Sequence, residues 1–321
     1  MKDAPLVPSE RYCAICDKKN SIKEIDTYKS TWLYCESCGC YSRVQKSRYP
    51  LEGLSTPLFE IFKHIPKLNG FLASLGRKKQ GVDFYRYYSD QLATGQRGPW
   101  EGQWNMVTNE LRSAGLLQDW TGKKVLEISG EPGFFAQDVM KAGGDILVSA
   151  FADDVASAMR ERLGLRTFVY DFNKDDILKC IESEGGSDGF DFIFIRFAIG
   201  FCEDLPGLMR KMRLLLRPKG VLYISFSPAS RVVPLRWMFD DYTYLRQYTE
   251  AYVNDSAKLA ALSMRFRFDE GFFYWDRGPF SLHWSLRPFA RHYLNNNSFY
   301  KEGEVDDSVQ RRVALAYVKG D

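Results

Sequence analysis

Apolar positions along this chain fall into short runs and helical stripes that alternate from residue 123 onward. Val125, Leu126 and Ile128 form a run of strand length that breaks at a turn holding Gly130, Pro132 and Gly133, after which Phe134, Phe135, Val139 and Met140 recur at helical spacing. That reads as strand, tight turn and helix. Gly143-Gly144 ends the helix, and a second strand is expected from Asp145 to Phe151. A third spans Arg166 to Tyr170, followed by a helical stretch over Asp175 to Cys180. Residues 190–199, FDFIFIRFAI, are nearly all apolar, the pattern of a central parallel strand buried on both faces. A helix with Leu208, Met212, Leu215 and Leu216 on one stripe then stops at Arg217-Pro218-Lys219-Gly220 and leads into a fifth strand, VLYISF. RFRFDEGFFYW and the near-terminal RRVALAYVKG read as sixth and seventh strands. The alternation of the two periods predicts an α/β fold.

Upstream the pattern is different. Cys13-x2-Cys16, eighteen further residues and Cys35-x2-Cys38 have the spacing of a four-cysteine zinc ribbon, each pair on a tight knuckle with a small hairpin between. Cys13, Cys16, Cys35 and Cys38 are therefore expected to hold a structural Zn2+, whose binding supplies folding free energy to a segment too small for a core. Cys40, Cys180 and Cys202 lack such spacing and read as small buried hydrophobes. Lys18, Lys19, Lys23, Lys29, Arg43, Lys46 and Arg48 form either a solvated surface or a phosphate-binding patch. From Tyr49 to Gly81, Leu58, Ile61, Phe62 and Ile65 suggest partial helix, with a boundary near Gly81.

Composition narrows the class. The 321 residues, 45% apolar, suffice for a large domain with an appendage, and a net charge of +3 is too mild to mark a nucleic-acid or membrane-surface binder. No stretch approaches the roughly 18 uninterrupted apolar residues of a membrane helix, and the N-terminus lacks a signal-peptide core, so a cytoplasmic location is expected. Five of the seven cysteines crowd between Cys13 and Cys40, which suits metal binding in a reducing compartment. Aromatic residues, 15% of the chain, concentrate after residue 235, where they either line a pocket or fill core.

The loop after the first α/β strand resembles the first motif of class I S-adenosylmethionine-dependent methyltransferases, an acidic residue followed by alternating glycines. Glu127 matches the acid, Gly130 lies inside the loop and Gly133 keeps the last glycine, while Ser129 and Glu131 stand where the family has its first two. The Leu216-Arg-Pro-Lys-Gly220 turn is similar to the family's Leu-Lys-Pro-Gly-Gly passage. The resemblance implies a Rossmann-like, doubly wound, mostly parallel seven-stranded sheet with S-adenosyl-L-methionine as cofactor. It implies a zinc ribbon at 1–48, a helical linker and lid at 49–120, and a methyltransferase domain at 121–321 with a substrate-binding insertion at about 228–300.

Residue by residue, the resemblance implies that Glu127, Ser129, Gly130, Glu131 and Gly133 border the cofactor. The acid that holds the ribose hydroxyls at the end of strand two falls on Ala150, with Phe151 next, a departure that leaves Asp153, Asp154 or another group to act, or a weakened site. Asp171 and Phe172 match the positions that meet the adenine amino group and ring; the other reading of Asp171, with Asn173, is a helix N-cap. Arg196 lies beside the cleft and either holds an anion or pairs with Glu127 or Asp171. Tyr85, Tyr88, Trp104 and Tyr242 are expected near the substrate, although Tyr85 and Tyr88 also suit a packed helix face. His283, in the aromatic region, is the candidate general base if the acceptor is a hydroxyl.

A ribbon fused to such a domain is similar to methyltransferases acting on nucleotide-linked sugars in polysaccharide or natural-product pathways. The expected partner is thus a small-molecule or sugar acceptor. The alternatives are an RNA-modifying enzyme that grips RNA with its ribbon, and a catalytically silent methyltransferase-like binding protein. The acceptor atom and the oligomeric state lie beyond the sequence.

Overall fold

The computed structural model describes residues 11–20, 22–26, 30–46, 84–97, 102–185, 188–226, 229, 245–273 and 310–318. His283, Tyr242, residues 47–83 and most of the 228–300 region lie outside the described residues. The chain divides into two compact units, neither continuous in sequence: one comprises 1–81, 227–253 and 273–310, the other 82–226, 254–272 and 311–321.

In the first unit, β1 (Arg11–Tyr12) and β2 (Lys19–Asn20) form an antiparallel hairpin around the first cysteine pair. β3 (Ile22–Asp26), β4 (Ser30–Cys35) and β5 (Tyr41–Lys46) form an antiparallel meander, with the second pair in the β4–β5 turn. A two-residue strand far along the chain, Arg246–Gln247, adds to the free edge of β5. Trp32 and Tyr41 supply most of the small apolar centre, with Tyr34 packed against Tyr41.

The second unit opens with α1 (Phe84–Thr94) and α2 (Gln103–Ser113). Then come β6 (Lys124–Ile128), α3 (Phe134–Lys141), β7 (Asp145–Ala150), α4 (Asp153–Leu163), β8 (Arg166–Val169), α5 (Ile177–Ser183), β9 (Phe190–Arg196), α6 (Leu205–Leu215) and β10 (Leu216–Phe226). Continuing the numbering past Arg246–Gln247 as β11, the last elements are α7 (Glu250–Leu259), β12 (Ser263–Phe273) and β13 (Gln310–Tyr317). The expected strands are all present, each within a few residues of its sequence boundary except β10, which starts already at Leu216.

The seven strands lie in the order β12-β13-β10-β9-β6-β7-β8. Neighbours from β10 to β8 run parallel, whereas β13 is antiparallel to β10. The chain moves outward from β6 through β7 to β8, then returns to the other side of β6 for β9. Strand order therefore reverses between β6 and β9, the position at which open α/β sheets bind ligands beyond their carboxyl ends.

One face of this sheet carries an unusually aromatic core. Val125, Phe192, Phe194, Val221, Tyr223, Ile146, Val148 and Ala150 alternate along their strands onto it. Val107 and Leu111 of α2, Phe135 and Val139 of α3, and Val155 and Met159 of α4 cover it. Trp120 lies at its centre, 2% exposed, with ring centroids 5.5 Å from Phe192, 6.0 Å from Phe194 and 5.5 Å from Trp104. Trp120→Ala removes the largest of these side chains from between two layers and is expected to cost about 3–5 kcal/mol, read as a lowered denaturant midpoint at unchanged slope.

Candidate functional site

Three strands end in a polar residue on the aromatic face. β6 runs Val125, Glu127; β9 runs Phe192, Phe194, Arg196; β10 runs Val221, Tyr223, Ser225, with Ser225 opposite Arg196 in register. β7 breaks the series, since Ile146, Val148 and Ala150 stay apolar to the end. A row of polar groups thus follows the carboxyl edge at the switch point, with a gap at β7.

Glu127 and Arg196 form a buried ion pair whose side chains are 0% and 8% exposed, with Arg196 Nη2 2.5 Å and Nε 2.7 Å from Glu127 Oε1. The guanidinium also donates to Gln103 of α2 and lies 4.4 Å from the Phe135 ring centroid. Burial pushes the Glu127 carboxyl up, and the facing Arg196 charge draws it back down. Glu127 Oε2 and Ser225 Oγ are buried with no hydrogen-bond partner among the described residues. Of the alternatives for Arg196, the structure has Glu127; Asp171 instead pairs with Lys174.

The loop after β6 is stitched to the end of β7. Ser129 N donates to Ser149 Oγ at 2.9 Å, Gly130 N to the Ser149 carbonyl at 3.0 Å, and Phe151 N to Glu131 Oε1 at 2.6 Å. Ser129 has φ of 51°, the left-handed backbone that explains a glycine preference there, and Phe197 at the end of β9 has φ of 57°. Two strained residues at neighbouring strand ends suit a site whose geometry is over-determined by its surroundings. At Gly130 a Cβ would stand 2.6 Å from Val148 and 2.7 Å from the Glu127 carboxyl carbon, so only glycine lets the loop lie on that carboxylate. Gly133, at φ of 89°, starts α3 packed on Leu165 and Met159.

Glu131 is 6% exposed; burial, with the Glu127 charge adding to it, pushes its carboxyl up to about 7. Asp154 turns back onto its own Val155 N, and Asp153 is largely exposed beside Arg160, so neither reaches the end of β7. Asp171 accepts from Asn173 N and pairs with Lys174, which holds its carboxyl below the usual range; the cap of α5 is Asp176, not Asp171. Phe172 packs edge-on against Tyr170. Phe151 is 37% exposed with Tyr88 against its edge, and Trp104 joins the Trp120–Phe135 cluster. Arg97 clamps Asp138 of α3 with both terminal nitrogens and lies over Phe134. Sequence reading missed Gln103 and Ser225, since neither has a local pattern.

The two cysteine knuckles repeat one geometry. In each, the amide of the first cysteine donates to the carbonyl five residues on (Lys18, Cys40), and its carbonyl accepts from the amide four residues on (Asp17, Gly39). Both of those fourth residues are left-handed, Asp17 at φ of 53° and Gly39 at 69°. The four sulfurs lie within 4.8 Å of one another, with Cys13–Cys38 at 3.8 Å and Cys16–Cys35 at 3.9 Å. A tetrahedral ion with metal–sulfur bonds of about 2.3 Å spaces its ligands about 3.8 Å apart, so the residues fit such an ion. Cys40 is fully buried and accepts from Thr249 N, and Tyr252 Oη donates to the Ile15 carbonyl, so the 245–253 segment seals the ribbon.

The strand order, with one antiparallel strand beside β10, is that of the class I S-adenosylmethionine-dependent methyltransferase fold. No protein-family model matches the sequence, and no curated protein matches it. The chain is similar to an S-adenosylmethionine-dependent methyltransferase from Mesorhizobium loti at 15% identity, covering 64% of this chain and 94% of that one with a TM-score of 0.43. It is also similar to the N-methyltransferase NodS from Bradyrhizobium japonicum, solved with S-adenosyl-l-homocysteine, at 13% identity, 73% and 97% coverage and a TM-score of 0.45. Magnesium protoporphyrin IX methyltransferase from Synechocystis matches at 11% identity, 82% and 99% coverage and a TM-score of 0.44. Among the described residues no helix is long and apolar enough to cross a membrane.

Two outcomes follow from the site geometry. If the four thiols hold an ion, Cys38→Ser is expected to lower the metal content of the purified protein sharply, measured by elemental analysis, because three thiolates no longer close the tetrahedron. Arg196→Met strands a buried carboxylate and is expected to cost about 3–5 kcal/mol near neutral pH. With the Arg196 charge gone, burial alone acts on the Glu127 carboxyl and raises it, so the variant's fold keeps a proton that its unfolded chain releases. The deficit should therefore be small near pH 5, grow toward pH 8, and largely vanish in Glu127→Gln/Arg196→Met, all read by urea unfolding.

Proposed function

We propose that this chain is an S-adenosylmethionine-dependent methyltransferase acting on a small molecule, a carbohydrate or nucleotide-linked sugar, with a structural Zn2+ in its N-terminal ribbon. The observation that carries the reading is the polar row at the switch point: a buried carboxylate paired with one cation, and, among the described residues, one of its oxygens and a hydroxyl two strands away left without a partner. Buried acceptors of this kind call for a ligand that brings donors. An aminoacyl nucleoside sulfonium, with its ammonium, diol and adenine amino group, has that chemistry.

The bound cofactor supplies an electrophilic methyl group, and alignment with exclusion of water is most of what the protein must add. Glu127, fixed by Arg196 and Gln103, presents a rigid negative edge beneath the loop. Gly130 carries the backbone past that edge without a side chain in the way, and Ser129 and Gly133 on either side of it are assigned to the cofactor. Glu131 and Phe151 border the end of β7 beside Ala150. Asp171 is assigned the adenine amino group and Phe172 the ring. Tyr88 and Trp104 wall the approach from the helices that precede β6, and Tyr85 and Tyr242 are assigned to the acceptor. His283 is assigned removal of the acceptor's hydroxyl proton. The aromatic-rich 231–289 sequence and the mild net charge favour a compact sugar over RNA.

Calorimetric titration of the folded, zinc-loaded chain with S-adenosylmethionine and S-adenosylhomocysteine tests the reading. Micromolar dissociation constants and transfer of labelled methyl to a nucleotide-sugar panel are expected. His283→Ala should lower that transfer about 10²- to 10⁴-fold with the homocysteine complex unchanged. Absence of binding to either compound would leave a methyltransferase fold used as a binding module.

A further inference from the structure

Resting on the methyltransferase reading, we infer that Glu131 supplies the ribose-binding carboxylate of this site, delivered to the end of β7 from the loop after β6. A cis-diol is held most simply by one carboxylate, whose two oxygens accept both hydroxyl protons. The strand that normally presents such a group in doubly wound nucleotide sites is the second, and here it ends in Ala150, fully buried and without a polar atom on its side chain. The two acids that follow are turned elsewhere: Asp154 onto Val155 N, Asp153 outward beside Arg160. The only carboxylate fixed at that strand end among the described residues is Glu131, whose Oε1 accepts from Phe151 N at 2.6 Å.

The loop residue compensates for the strand residue. Glu131 stands where the resembled motif has its second glycine, so its side chain is an addition to the loop, and Ala150 is a deletion from the strand. The side chain spans the distance between the two positions. Ser129 N and Gly130 N, both bonded to Ser149, fix the loop against β7 and so fix the direction of that reach. Independent of Glu131, the free Glu127 Oε2 on the adjacent strand marks the same edge as one built to receive donors. Glu131 is thereby a binding residue for the cofactor's sugar and takes no part in methyl transfer.

The test crosses a change in the protein with a change in the ligand. The intact chain and Glu131→Gln are titrated with S-adenosylhomocysteine and with its 2′-deoxy analogue, and melting curves establish that each protein is folded. The intact chain is expected to lose about 10- to 100-fold in affinity when the hydroxyl is removed, as for a hydrogen bond to a charged acceptor. Glu131→Gln should bind S-adenosylhomocysteine correspondingly weakly and discriminate far less between the two ligands. Equal discrimination by both proteins would overturn the assignment to Glu131 while leaving the cofactor reading intact. No binding of either ligand by the intact chain would remove the cofactor reading and this role with it. Glu131→Asp, which keeps the charge but shortens the reach, serves if the glutamine variant does not fold; undiminished discrimination in it would likewise overturn the assignment.

Discussion

Burying a carboxylate at the end of the first strand of a parallel sheet is tolerable only with a cation held against it, and this constraint organises the second unit. Glu127 is inaccessible to solvent, so Arg196 must come from the neighbouring strand, Gln103 must orient the guanidinium from α2, and Phe135 must shelter its face. The loop then has to pass over that carboxylate. Gly130 is the residue that permits it, because any side chain there would collide with Glu127 and Val148. The pair thus links β6, β9, α2 and α3, and it does so where the strand order reverses and a ligand crevice belongs.

Convergence on a small centre also sets the backbone in the ribbon, where four thiols meet. Two chain segments separated by eighteen residues adopt one backbone motif, down to the left-handed fourth residue, because each must aim two sulfurs inward from a turn. Asp17 accepts that conformation in one knuckle and Gly39 in the other. Gly39 has an added reason, since a Cβ there would stand 3.0 Å from Thr249. Among the described residues of this unit, the four thiols and the 245–253 segment meet around the two knuckles.

Much of this was legible in the sequence because its signals are local. Hydrophobic period gave every strand of the large sheet, and the cysteine spacing alone gave the four cysteines whose sulfurs the structure brings within 4.8 Å. The Asp171 cap reading failed for an equally local reason: Asp176, one residue before the helix, accepts from Leu178 N, whereas Asp171 closes a turn further upstream. Cys40 is buried outside the cluster, as its spacing indicated, while its contact with Thr249, more than two hundred residues away in the chain, left no local signal.

What the sequence by itself determined, then, is the order and type of the elements, the ribbon and the likeness to a methyltransferase loop, all of which depend on residues a few positions apart. Tertiary structure decided the rest. That Arg196 answers Glu127 and not Asp171, that Gln103 and Ser225 join the polar edge, and that the Glu131 carboxylate meets the Phe151 amide at the end of β7 are consequences of strand order and register. A strand's neighbours in a doubly wound sheet are set by how the crossovers pack, and no local pattern encodes which distant charge will arrive beside a buried one.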